Sequence, residues 1–326
     1  MLCRISIWLS SAADWSSRNK TRLSVENLEN RDVPTAGIFY DSLLQVVKVQ
    51  ATNGGDKVVF SIDNNGTTGQ ANSHWDDKVV VKWTHGGKIE TQSFDIFSNH
   101  RPGQTPTSVI NRVEFDGGTG NDRCTNNTNL PSWQFGNDGN DFLVGGITND
   151  YLVGGKGSDT LHGGAGDDDL WGRQYFVGES DIDNAVDRLF GEQGFDKLSA
   201  VGTKKSYLYG GDDSDRLWGA SGLGVTNFLD GGRGSDYLEG GHGTFNAIGV
   251  TNIMRDHQGV DKFFCADYAL NMVNCKDGNA PDVGVISEQY DRINKSSLGI
   301  DLVKMDTKTI FPDKYQSDLF PEILYS

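Results

Sequence analysis

The chain has 326 residues, a formal net charge of −16, 36% hydrophobic residues and 42 glycines. Such acidity excludes nucleic acid as a partner, because phosphate binding needs clustered Lys and Arg, and the glycine content points to turn-rich or repeated structure rather than helical packing. No apolar run reaches the ~18 residues of a membrane span, so no transmembrane segment is expected, and four cysteines are too few for a disulfide scaffold.

At the N-terminus, Arg4 and the short apolar stretch from Ile5 to Leu9 make too short a core for a secretory signal. The segment Leu28-Glu29-Asn30-Arg31-Asp32-Val33-Pro34 resembles a Leu-Glu-x-Arg-x-x-Pro signature near the start of many large exported proteins of certain bacteria. Residues 1–36 are therefore expected to be a targeting or export segment, an amphipathic surface helix ended by Pro34 being the other reading.

Residues 37–115 alternate apolar and polar positions in short runs, the pattern of strands. The clearest are Leu44 to Val49, Lys57 to Ile62, Lys78 to Trp83 and Val109 to Phe115, with Asn64-Asn65-Gly66 and His85-Gly86-Gly87 as turns. This segment is expected to lead directly into the next one.

From 116 to 249 the texture changes: about 30 of the 42 glycines and about 18 aspartates fall here. A flexible linker would have that composition, but not a large apolar residue at a fixed offset from an acid. Aligned on one polar position, the frame runs Asp122, Ser132, Asp141, Asp150, Asp159, Asp168, an unmatched repeat, Asp187, Asp196, Ser206, Asp215, Asn227, Asp236 and Asn246. Two residues after each stands Cys124, Gln134, Leu143, Leu152, Leu161, Leu170, Leu189, Leu198, Leu208, Leu217, Leu229, Leu238 or Ile248. Leu fills most of these slots, which makes the period structural.

Gly154-Gly155-Lys156-Gly157-Ser158-Asp159-Thr160-Leu161-His162 and Gly163-Gly164-Ala165-Gly166-Asp167-Asp168-Asp169-Leu170-Trp171 read GGxGxDxUx twice. The chain thus resembles the RTX family of calcium-binding nonapeptide-repeat proteins over 116–249. That resemblance implies an all-β fold, a right-handed parallel β-roll or β-helix solenoid with flanking β segments, in which two units complete one coil. It implies several Ca²⁺ ions held between stacked turns by Asp122, Asp141, Asp150, Asp159, Asp168, Asp187, Asp196, Asp215 and Asp236. The backbone of Gly117, Gly118, Gly120, Gly136, Gly139, Gly145, Gly154, Gly155, Gly157, Gly163, Gly164, Gly166, Gly191, Gly194, Gly210, Gly211, Gly231, Gly232 and Gly234 would complete the sites. The chemistry agrees, since Ca²⁺ takes six to eight hard oxygens in flexible geometry and glycine turns with φ > 0 can present successive carbonyls.

Sorting the frame into alternate repeats predicts unequal edges. One carries Asp122, Asp141, Asp159, the unmatched repeat, Asp196, Asp215 and Asp236; the other carries Ser132, Asp150, Asp168, Asp187, Ser206, Asn227 and Asn246. Neutral Ser and Asn turns should hold little or no calcium. Residues 250–326 lose the glycine rhythm, but Asp261-Lys262-Phe263 still fits the strand pattern and is read as a terminal cap.

The sequence carries no HExxH, GxSxG or Walker pattern, and its six histidines are scattered. The expectation is an exported, extracellular or cell-surface, non-catalytic calcium-binding protein. The alternative is a secreted enzyme or adhesin in which the roll is a passive module, with cell-surface polysaccharide or other surface proteins as further partners. A disulfide between Cys265 and Cys275 is expected, because the two are close in sequence, flank the cap strand and sit in an extracellular context.

Overall fold

The computed structural model describes residues 36–63, 77–98, 107–173, 183–241, 250–256 and 261–264, and the backbone strands Ala269–Cys275, Asp282–Val285, Arg292–Ile293 and Ile300–Lys304. The export-type signature, the Asn64-Asn65-Gly66 turn, Asn246 and Ile248, Cys265 and the side chain of Cys275 lie outside the described residues. Every helix or strand among the described residues is a β-strand.

Strands form where the apolar/polar alternation has period 2, since successive side chains then point to opposite faces. Two twelve-stranded sheets result. The first begins at Gly37–Asp41 and Val46–Gln50 and runs through Arg112–Asp116, Ser132–Asp138, Tyr151–Lys156, Asp169–Trp171, Lys197–Ser199, Arg216–Trp218, Tyr237–Glu239 and Lys262–Phe264 to Asp282–Val285 and Ile300–Lys304. The second begins at Lys88–Asp95, Lys78–His85 and Lys57–Asp63. It runs through Arg123–Asn127, Phe142–Gly146, Thr160–Ala165, Asp183–Gln193, Thr203–Asp212, Val225–Arg233 and Val250–Asp256 to Ala269–Cys275 and Arg292–Ile293.

From Arg112 onward consecutive strands alternate between the two sheets and pair in parallel with the strand one coil away. The chain is a parallel β-solenoid. Its pairing extends upstream of 116, where Val46–Gln50 and Lys57–Asp63 pair in parallel with the first repeat strands, and downstream past Asp261 to Ile300–Lys304. At the N-terminal end the outermost pairs are antiparallel. The hairpin His85-Gly86-Gly87-Lys88 closes as expected, with φ of 51° and 78° at its two glycines, the left-handed pair a two-residue hairpin turn requires.

The apolar slot forms the core. In the first sheet Phe115, Gln134, Leu152, Leu170, Leu198, Leu217, Leu238 and Phe263 pair in register. In the second, Val58, Cys124, Leu143, Leu161, Leu189, Leu208, Leu229 and Met254 do so. All of these side chains are buried. Parallel registry also stacks like on like on the outer face: His162 on Phe190 at 4.6 Å and Phe190 on Tyr209 at 4.9 Å between ring centroids, the strand-to-strand spacing of a sheet.

Two parts of the expected frame are corrected. The frame shifts at the unmatched repeat: Asp169–Trp171 lies in the first sheet and Asp183–Gln193 in the second, so Leu189 pairs with Leu161. A lost nine-residue unit and a turn insertion of similar length look alike when residues are merely counted. Downstream, Asn252 and Met254 rather than Asn246 and Ile248 continue the column of Asn227 and Leu229, because 16 residues rather than nine separate Asp236 from Asn252.

Candidate metal site

Turns passing from the first sheet to the second form one edge of the roll; returning turns form the other. The first edge carries Asp56, Asp122, Asp141, Asp159 and Asp187, then Ser206, Asn227 and Asn252. The second carries Ser132, then Asp150, Asp168, Asp196, Asp215, Asp236 and Asp261. Hydrogen bonds define these columns directly. Each aspartate offers Oδ1 to the backbone N–H of the frame residue one coil earlier: Asp122 to Asp56, Asp141 to Asp122, Asp159 to Asp141 and Asp187 to Asp159, at 2.7 to 3.0 Å. The second edge repeats this from Asp150, which accepts from Ser132, through Asp168, Asp196, Asp215, Asp236 and Asp261. The edges are unequal as expected, but their members past Asp168 are exchanged. Asp187 belongs with Asp159, and Asp168 faces Asp196.

The other carboxylate oxygen is the chemically open one. Oδ2 of Asp122, Asp141, Asp150, Asp159, Asp168, Asp196 and Asp215 is buried without a hydrogen-bond partner. It lies over the first glycine of its turn, where no side chain fits: a Cβ built on Gly117 would stand 2.6 Å from Asp122 Oδ2 and 2.6 Å from the carbonyl oxygen of Gly136 one coil on. At Gly145 the neighbours are Gly163 O at 2.5 Å and Asp150 Oδ2 at 2.6 Å. Carboxylate and carbonyl oxygens of adjacent coils thus converge with no donor between them. An unpaired buried acceptor is costly. Positions two and four of the turn need left-handed backbone, as at Gly155 (119°) and Gly157 (117°).

Burial in this setting lifts the carboxyl groups far above their ordinary range. Desolvation is the largest cause in each case, opposed by the bond from the backbone N–H. Asp215 rises to about 9, Asp159 and Asp168 to about 8, Asp122, Asp150, Asp187 and Asp196 to about 7, and Asp141 to about 6. Like charge from neighbouring aspartates adds to the rise at Asp159, Asp168 and Asp215. The folded turns hold these carboxylates as anions only with compensating positive charge.

The donor set is all oxygen, which suits a hard cation such as Ca²⁺ and not a thiolate- or imidazole-seeking metal. Among the described residues no three His, Cys, Asp or Glu side chains group into a metal site by themselves, so backbone carbonyls would have to supply the remaining ligands. The ladders bring Asp122, Asp141, Asp159 and Asp187 together on one edge and Asp150, Asp168, Asp196, Asp215 and Asp236 on the other, with their glycines in the same turns.

Two features escaped the sequence frame. Asp56 heads the first edge, but its Oδ1 accepts from Trp83 Nε1 at 3.1 Å and its Oδ2 from the Thr52 N–H and hydroxyl at 2.8 and 2.7 Å. Protein donors thus stand where a cation would. Its signal was the run Gly54-Gly55-Asp56-Lys57-Val58, which keeps the acid-to-apolar offset. A second set of side-chain bonds runs counter to the aspartate columns, from the residue before each aspartate: Asn121 to the N–H of Asn140, Asn140 to that of Ser158, Asn149 to that of Asp167 and Ser214 to that of Ser235. Short polar residues at that position were the available signal.

Against known proteins, the family model described as RTX calcium-binding nonapeptide repeat (4 copies) matches residues 135–170, 202–225 and 222–244. No curated protein and no solved structure matches the chain.

Proposed function

We propose that the chain, which carries RTX calcium-binding nonapeptide repeats, is an exported, non-catalytic structural or surface protein whose roll is completed by several Ca²⁺ ions. RTX repeats bind Ca²⁺, several ions to a repeat domain. Asp122, Asp141, Asp159, Asp150, Asp168, Asp196, Asp215 and Asp236 are the side chains that would hold them, with the glycine-turn carbonyls. The observation that carries this assignment is the set of buried Oδ2 atoms without donors at Asp122, Asp141, Asp150, Asp159, Asp168, Asp196 and Asp215, with a carbonyl oxygen of the next coil beside those of Asp122, Asp141, Asp150, Asp168, Asp196 and Asp215.

Bound calcium would supply positive charge between oxygens that otherwise repel. The chain's own residues do the rest. Oδ1 fixes the register of adjacent coils, the glycines let two turns approach, and the leucine column excludes water behind them. Calcium is scarce in the cytosol and plentiful outside cells, so a chain of this kind could travel unfolded and close its roll after export. Calcium titration by calorimetry, on the wild type and on Asp168→Asn and Asp215→Asn, tests the reading. Fewer bound ions in each variant support it; unchanged stoichiometry in both refutes it.

A further inference from the structure

Beyond Asp187 the first edge changes chemistry. Its frame positions are Ser206, Asn227 and Asn252, all fully buried. Asn227 Oδ1 accepts from the Ser206 hydroxyl at 2.7 Å and from the Ala220 N–H at 3.0 Å. Its Nδ2 donates to Ala220 O at 2.8 Å and to Asn252 Oδ1 at 2.7 Å. Asn252 repeats the arrangement on Gly241, accepting its N–H and donating to its carbonyl, both at 3.0 Å. Each amide side chain therefore clamps one residue of its turn by both its N–H and its carbonyl, and three side chains are linked across three coils.

The amide nitrogen stands where the aspartates place their open oxygen. A Cβ on Gly219 would lie 2.8 Å from Asn227 Nδ2, and one on Gly240 2.5 Å from Asn252 Nδ2, as one on Gly117 lies 2.6 Å from Asp122 Oδ2. In the aspartate turns an anionic acceptor meets a carbonyl, which a cation must reconcile. In the asparagine turns an N–H donor meets a carbonyl, and a hydrogen bond closes the contact. The second edge of the same coils keeps Asp196, Asp215, Asp236 and Asp261. Resting on the calcium reading above, we propose that the first edge from Ser206 onward is a metal-free amide clamp. The C-terminal coils then take calcium along the second edge alone, and in the folded roll their first-edge register is held by side-chain hydrogen bonds in place of calcium.

The test uses the full chain and calcium as the probe, reading ions bound per chain by equilibrium dialysis and the calcium midpoint of folding by circular dichroism. Asn227→Asp with Asn252→Asp turns the amide donors into carboxylate oxygens; this variant should bind more calcium than the wild type and need a higher concentration to fold. Asn227→Ala with Asn252→Ala removes the clamp without adding charge; it should lose stability at saturating calcium and keep the wild-type ion count. Loss of bound ions in the alanine variant, or an aspartate variant with unchanged stoichiometry and midpoint, overturns the clamp. Wild-type ion counts in Asp215→Asn would instead overturn the calcium reading beneath it.

Discussion

The backbone N–H of Asp122 donates to Asp141 Oδ1 at 2.7 Å across one coil, while Asp141 Oδ2 is buried without a donor. One side chain thus has a structural half and an open half, and substitutions separate them. Asp141→Asn keeps an oxygen for the Asp122 N–H but removes the anion; the calcium midpoint should rise about tenfold, equivalent to about 1.4 kcal/mol. Asp141→Ala removes both halves and should cost about 1 kcal/mol more. Calcium-dependent circular dichroism of the two variants checks the difference.

Acidity should substitute in part for calcium. With metal removed, the carboxyls of Asp122, Asp159, Asp168, Asp196 and Asp215 sit at about 7 to 9 in the folded roll against 3.8 ordinarily. The folded state then binds more protons than the unfolded one, so stability is greatest near pH 4 and is lost as pH rises through the folded values. The chelated protein should gain β structure on acidification toward pH 4–5. Calcium binding needs the anions, so the calcium midpoint should fall as pH rises. Dichroism across pH, with and without chelator, checks both directions.

Asp213 occupies the fourth turn position, usually glycine, with φ of 76°, and its charge bears on Asp196 and Asp215. Asp213→Gly should stabilise the calcium-loaded protein by about 1 kcal/mol through relief of left-handed strain. Thermal unfolding at saturating calcium measures it.

Around Leu161 the core column is thin, with one large buried apolar side chain on each of the strands of Leu143, Leu161 and Leu189, so each member matters. Leu161→Ala, which opens a cavity between Leu143 and Leu189, should cost about 2–5 kcal/mol at saturating calcium. A denaturant series with constant m-value checks that the loss is one of stability.

Most of this architecture could be read from spacing. The Asp-x-Leu offset shows which residues face the core and which acids sit in turns, because parallel coils repeat the same two positions. What the spacing could not show is where a unit ends. The stretch after Gly172 looks like a repeat that has lost its pattern, whereas the next strand, Asp183–Gln193, belongs to the second sheet and not to the first, and every later acid changes edge. Asp56 was hidden by its surroundings: the strand pattern of 37–115 read as a separate segment, and only the parallel pairing of Val58 with Cys124 makes it a coil. The role of Asn227 and Asn252 was hidden for another reason. An amide in place of an acid reads as a lost ligand, and its partners Ala220 and Gly241 come from turns of irregular length.

Circular dichroism of the full chain during calcium titration after chelation tests most directly whether calcium completes the roll. Little β structure in chelator at neutral pH is expected, with a cooperative gain as calcium approaches the ~10⁻⁴–10⁻³ M range of extracellular sites. A spectrum already rich in β structure in chelator and unchanged by excess calcium would contradict it.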